Sequence, residues 1–209
     1  MSGCCEAPDF SGQDPRYKRA LIAVIFINAT MFFVEFIAGS FAGSQALKAD
    51  ALDFLGDSIT YGLSLWAISK TLETRAKVSL AKGFSLLGMG LWVLGATTYQ
   101  VFQEGVPQAQ VMGVVGLMAL AANLISVVIL IRFREGDSNV QSVWICSRND
   151  ALGNVAVLIA SVAVVYTGSA WPDLVVAAIM ASLFLSGAYT IIRAAQNELS
   201  IARSTQTAT

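Results

Sequence analysis

The chain has 209 residues, a formal net charge of −1 and a mean hydropathy of +0.65. Charged residues make up 13% and hydrophobic residues 56% of the chain, whereas a soluble domain carries about 25% charged residues. The composition therefore excludes an ordinary soluble protein and indicates an integral membrane protein, while the absence of a basic stripe argues against nucleic acid as a partner.

Six apolar segments follow one another along the chain, each long enough to cross the hydrocarbon layer as a helix. They are too long and too uniformly apolar for the alternating strands of a membrane barrel, and lipid admits only helices or closed barrels. We therefore predict an all-α bundle of six transmembrane helices over residues 20–195, with an N-terminal tail at 1–19 and a short tail at 196–209. The predicted spans are 20–40, 44–69, 79–103, 109–132, 141–167 and 172–195.

Lysine and arginine are concentrated on alternate connections between these segments. Basic residues on short loops mark the cytoplasmic side, so both termini are predicted to be cytoplasmic and the protein to be a multi-pass protein of the cell (inner) membrane, in contact with the lipid bilayer. The residues concerned are Arg16, Lys18 and Arg19, then Lys70, Arg75, Lys77 and Lys82, then Arg132 and Arg134, and finally Arg193 and Arg203.

Three aspartates interrupt the second segment, in the run "KADALDFLGDSITYG". A charged aspartate at the centre of a membrane helix costs about 3 kcal/mol on the insertion scale, so these side chains need compensation. Asp53 and Asp57 are four residues apart and lie about 40° apart on one face of a helix. Asp50 leans towards the same side. This polar stripe is expected to face the interior of the bundle.

The fifth segment repeats the four-residue spacing with Cys146 and Asp150. Two such pairs on facing helices would supply four ligands around one point, which is the number that a tetrahedral metal site requires. The chain has no histidine, so a metal site has to use carboxylate, thiolate or carbonyl groups. We predict a metal site formed by Asp53, Asp57, Cys146 and Asp150.

The same residues resemble the cation diffusion facilitator family, over about residues 16–198. The resemblance lies in the motif pairs of the second and fifth helices, where Cys146 stands at a position that is usually histidine. Weaker matches are Asn123 and the run Trp171-Pro172-Asp173. The quoted motifs are Asn28, Glu35 and Gly39, then Ser44-x-Ala46-Leu47-x-Ala49-Asp50-Ala51-x-Asp53-x-x-x-Asp57, and Cys146-x-x-x-Asp150 with Asn154 and Val155.

The resemblance implies a divalent metal efflux transporter that exchanges metal for protons by alternating access. The metal would be a transported substrate and not a resident cofactor, and the protein would not be an enzyme. Thiolate favours zinc or cadmium over harder ions, although three carboxylates leave iron(II) or manganese open. The family usually ends in a cytoplasmic dimerisation domain, and about a dozen residues follow the last span here. We therefore expect a short member without that domain, in which any homodimer forms through the membrane helices.

Other interpretations of the acidic residues stay open at this stage. The four predicted ligands could form a proton relay or a structural polar cluster, and the protein could be a metal-independent proton-coupled exporter. An intramembrane aspartyl protease is disfavoured, because "FLGD" has Phe54 where its signature requires glycine. Asp50 is expected to orient a ligand or to pair with Lys48 or Arg148. Glu35 is expected to line an ion path or to make a structural hydrogen bond.

Overall fold

The computed structural model describes residues 14–67, 72–103, 105–133 and 138–207, and these form helices and connections without any strand. The prediction of an all-helical fold is confirmed for this part of the chain. A short 3-10 turn, Ile131–Phe133, follows the fourth helix. The six long helices are α1 (Pro15–Ala42), α2 (Gln45–Ala67), α3 (Leu72–Val101), α4 (Ala109–Leu130), α5 (Ser138–Thr167) and α6 (Trp171–Thr207).

Several helices extend beyond the predicted spans. The first begins at Pro15, where Asp14 caps it by accepting a hydrogen bond from the backbone N–H of Arg16 at 2.7 Å. It ends at Ala42, and the next residue, Gly43, caps it with a left-handed backbone (φ of +70°) that favours glycine. The sixth helix runs to Thr207. Hydropathy detects only the part of a helix that lies in lipid, and polar residues can continue the same helix into water.

Within the part of the chain that the structure describes, five helices are long and apolar enough to cross a membrane: Pro15–Ala42, Ala76–Val101, Ala109–Phe133, Asp150–Thr167 and Trp171–Asn197. The protein is therefore a multi-pass membrane protein. Helix α2 is not among the five, because Lys48 and the three aspartates lower its apolar character.

The first helix shows how the bundle separates lipid from interior. Large apolar side chains are exposed along one face, and the opposite face is buried. The spacing of three, four and seven residues on each face is the spacing of residues along one side of an α-helix. Two polar residues, Asn28 and Glu35, belong to the buried face and are 1% and 0% exposed. The exposed face carries Ile22, Phe26, Phe33, Ile37 and Phe41.

Small residues allow the helices to pack closely. Helix α3 packs mainly on α6, α1 on α2, and α4 on α5. A Cβ atom added at Gly83 would lie 2.6 Å from Cγ1 of Ile192, and one at Gly90 would lie 3.1 Å from Cβ of Phe184. These two glycines therefore allow close packing of α3 on α6, whereas a Cβ at Gly88 or Gly95 would meet nothing within 4 Å among the described residues.

A buried carboxylate joins the start of α6 to the turn between α1 and α2. The hydroxyl of Ser44 donates to Asp173, whose carboxylate also accepts the backbone N–H groups of Gln45 at 2.8 Å and Ala46 at 3.1 Å. These N–H groups belong to the first turn of α2, where backbone N–H groups have no carbonyl acceptor within the helix. Asp173 therefore caps α2 from another helix.

Replacing Asp173 with alanine is expected to destabilise the protein by about 2 kcal/mol or more. The change removes the acceptor for two buried N–H groups and one hydroxyl, and a buried unsatisfied donor costs about 1–3 kcal/mol. The measurement is unfolding in mixed detergent micelles with increasing sodium dodecyl sulfate. Asp14→Ala is the matched control, since it removes an exposed helix cap worth about 1 kcal/mol. Equal shifts for the two variants would contradict the proposed capping role.

Candidate functional site

The predicted acidic stripe of α2 faces other helices of the bundle. Helix α2 packs against α1, α3, α5 and α6. Asp50 is buried at 1% exposure, and Asp53 and Asp57 are half-buried. The four-residue periodicity therefore predicted the shared face of Asp53 and Asp57 correctly, and the packing of neighbouring helices turns that face inward.

Two neutral side chains hold the carboxylate of Asp57. The hydroxyl of Tyr61, one turn further along α2, donates a short hydrogen bond to Oδ2 of Asp57. The Nδ2 group of Asn28 on α1 approaches the same oxygen at 3.5 Å. Asn28, which belongs to the motif quoted from the sequence, thus makes a contact between two helices. The role of Tyr61 was not predicted from the sequence, although its spacing of four residues from Asp57 was a usable signal.

Asp150 of α5 meets the two aspartates of α2. Its carboxyl group lies within hydrogen-bonding reach of both Asp53 and Asp57. Three carboxylates gathered in an apolar bundle repel one another, and they can be accommodated together only with protons or a cation between them. The structure thus brings three of the four predicted ligands into one cluster.

The fourth predicted ligand, Cys146, is placed only by the backbone of α5. It lies on that helix four residues before Asp150, but its side chain is outside the described part of the structure, as is that of Arg148. Among the side chains that are described, no three cysteine, aspartate or glutamate residues are arranged as ligands around a common metal position in this conformation.

A second carboxyl pair lies closer to the α1–α2 turn. Glu35 and Asp50 are 0% and 1% exposed, and their carboxyl groups are close together. Asp50 was expected to orient a ligand or to pair with Lys48 or Arg148, and Lys48 lies near Asp173 instead. The proximity of Glu35 and Asp50 was not predicted, because the two residues lie on different helices.

These features define a class of protein: a multi-pass helical membrane protein with a buried acidic cluster between helices. The chain belongs to the cation diffusion facilitator family, since the Cation efflux transmembrane domain matches residues 21–200. The resemblance found in the sequence is thereby confirmed.

Curated relatives include three bacterial proteins named as metal transporters. The metal cation efflux system protein CzcD of Cupriavidus metallidurans is 24% identical over 194 residues, which cover 87% of this chain and 61% of the relative. The zinc transporter ZitB of Yersinia pestis is 26% identical, with 90% and 64% covered. The cadmium, cobalt and zinc/H(+)-K(+) antiporter of Bacillus subtilis is also 26% identical, with 84% and 61% covered. The chain thus spans about three fifths of the length of these relatives.

Proposed function

We propose that this protein is a divalent metal cation efflux transporter that binds zinc or cadmium and exchanges it for protons. The observation that carries the proposal is the meeting of Asp53, Asp57 and Asp150 from two helices inside an apolar bundle. Such a cluster is costly unless a cation or protons compensate it. The relatives named as zinc and cadmium transporters support the same activity.

In this proposal α2 also crosses the membrane, which brings the number of transmembrane helices to six. Its charged side chains lie on faces packed against other helices, where protein and not lipid surrounds them. The basic connections support an orientation with both termini in the cytoplasm, and we propose that the protein resides in the cell membrane. The transported ion would enter from the cytoplasm, and a homodimer would form through the membrane helices.

Proton coupling follows from competition for the same side chains. A metal ion binds carboxylate and thiolate only in their deprotonated forms, so binding at Asp53, Asp57, Cys146 and Asp150 releases protons. Protons that enter from outside would refill the same groups and weaken metal binding. Metal therefore leaves on the side where the proton concentration is higher, and the bundle returns in the protonated form.

The transport assay uses the full chain in proteoliposomes that contain a zinc-sensitive dye. We expect an imposed proton gradient to drive zinc against its concentration gradient, and the vesicle pH to change as zinc moves. Collapsing the proton gradient with an ionophore should leave only downhill flux. Zinc flux that is insensitive to the gradient would overturn the antiport proposal, and organic-cation flux without zinc flux would favour the metal-independent exporter.

A further inference from the structure

Glu35 and Asp50 form a buried acidic pair with unsatisfied oxygen atoms. Both oxygens of Glu35 and Oδ2 of Asp50 are inaccessible to solvent, and apart from each other's carboxyl group they have no hydrogen-bond partner among the described residues. The carboxylate of Asp57 differs, because Tyr61 and Asn28 donate to it. An unpartnered buried carboxyl oxygen costs several kcal/mol in an apolar interior. The two carboxyl groups can share one proton in a hydrogen bond, and a divalent cation would satisfy the remaining oxygen atoms as well.

The helical register places the pair about two turns away from Asp57. Asn28 and Glu35 are seven residues apart on α1, and Asp50 and Asp57 are seven residues apart on α2. The two helices are joined by a short turn and run antiparallel, so both intervals correspond to about 10 Å towards that turn. Asp53 lies between them and interacts electrostatically with both Asp50 and Asp57. The carboxylates therefore form a continuous series along α2.

Close packing of α1 on α2 holds the pair together. A Cβ atom added at Gly39 would lie 3.0 Å from Cβ of Leu47 and 3.2 Å from the backbone nitrogen of Lys48. Gly39 is one turn from Glu35 along α1, and Lys48 is two residues from Asp50 along α2. The close approach of the two backbones at this glycine thus brings Glu35 and Asp50 near each other.

An amide group on α5 belongs to the same end of the bundle. Asn154 is 0% exposed, and neither its Oδ1 nor its Nδ2 atom has a described hydrogen-bond partner. It lies one turn beyond Asp150, towards the end of α5 that leads into α6. The start of α6 contacts the start of α2 through Asp173, so the end of α5 and the start of α2 lie on the same side of the bundle. Asn154 is nearer to that side than Asp150, just as Asp50 is nearer to it than Asp53.

We propose that Glu35 and Asp50, with the amide oxygen of Asn154, form a second binding station for the transported divalent cation. This inference rests on the proposed transport function. The station lies between the Asp53–Asp57–Asp150 cluster and the α1–α2 turn, and Asp53 is close enough to pass the ion from one to the other. Its donors are all oxygen, so it accepts harder divalent ions such as Mn²⁺ more readily than a site that contains a thiolate.

The test measures Mn²⁺ binding to the detergent-purified full chain from the loss of the paramagnetic resonance signal of free Mn²⁺. Asp57→Asn weakens the transport site, and this variant is expected to retain one Mn²⁺ equivalent. Adding Glu35→Gln or Asp50→Asn should lower the remaining affinity at least tenfold. Ser40→Ala is the matched control on α1, because the hydroxyl of Ser40 donates to the carbonyl of Phe36 in its own helix, and it should leave Mn²⁺ binding unchanged. Size-exclusion elution verifies that each variant is folded.

Two results would overturn the second station. One is equal Mn²⁺ affinity with and without Glu35→Gln in the Asp57→Asn background. The other is a complete loss of Mn²⁺ binding in Asp57→Asn alone, combined with an altered pH dependence of zinc binding in Glu35→Gln, which would mean that the pair carries only a proton. Both differ from failure of the proposed function, which would appear as absent zinc flux in the unmodified protein.

Discussion

Asp57→Ala and Asp150→Ala are each expected to abolish zinc efflux while the protein still inserts into the membrane. The two carboxylates come from different helices and meet inside the bundle, so each variant removes one ligand from one side of the site. Loss of groups that merely orient a ligand already costs about 10–100-fold in metal affinity. We therefore expect loss of a direct ligand to reduce zinc transport by more than about 100-fold.

The measurement compares zinc flux in proteoliposomes containing equal amounts of each variant. Ser58→Ala is the matched control for Asp57→Ala, because Ser58 is the adjacent residue and its hydroxyl donates to the carbonyl of Phe54 in the same helix. This control should transport zinc normally. Normal zinc transport by either aspartate variant would refute the assignment of the site.

Cys146→Ser is expected to change the choice of metal. Serine has nearly the same shape as cysteine, but its hydroxyl is a hard and weakly acidic donor, whereas thiolate binds soft ions such as Cd²⁺ strongly. We expect about a tenfold or larger loss of cadmium affinity, with manganese affinity changed by less than about threefold. Titration calorimetry of the purified protein with the two ions measures both effects.

The other cysteines provide the control for this substitution. Cys4 and Cys5 lie in the first thirteen residues, outside the described structure, and removing both by Cys4→Ser and Cys5→Ser leaves the predicted transport site intact. Cadmium affinity should then stay near that of the unmodified chain. An unchanged ratio of cadmium to manganese affinity in Cys146→Ser would mean that sulfur is not a ligand.

The helical membrane fold was predictable because it depends on local properties. Long apolar segments must satisfy their backbone hydrogen bonds within lipid, so composition alone indicated helices. The helix ends were less predictable. Hydropathy begins the first span at residue 20, whereas the helix begins at Pro15 with the Asp14 cap. The crossing of α2 stays a proposal for a related reason, because its aspartates lower the same apolar signal that identifies the other spans.

The sequence predicted which residues of the acidic site share a helix face, because those residues are one helical turn apart. The spacing of Asp53 and Asp57, and of Cys146 and Asp150, follows from 3.6 residues per turn, and the resemblance to a family paired the two motifs. The structure then places Asp150 beside both aspartates of α2.

Contacts between distant parts of the chain were beyond the reach of periodicity. Ser44 and Asp173 are 129 residues apart, yet the carboxylate of one helix caps the other. Asn28 reaches Asp57 across 29 residues, and Glu35 meets Asp50 only because α1 and α2 approach closely at Gly39. A repeating pattern states which face of a helix a residue occupies. It does not state which neighbour that face will meet, because the neighbour depends on how all the helices pack around one another.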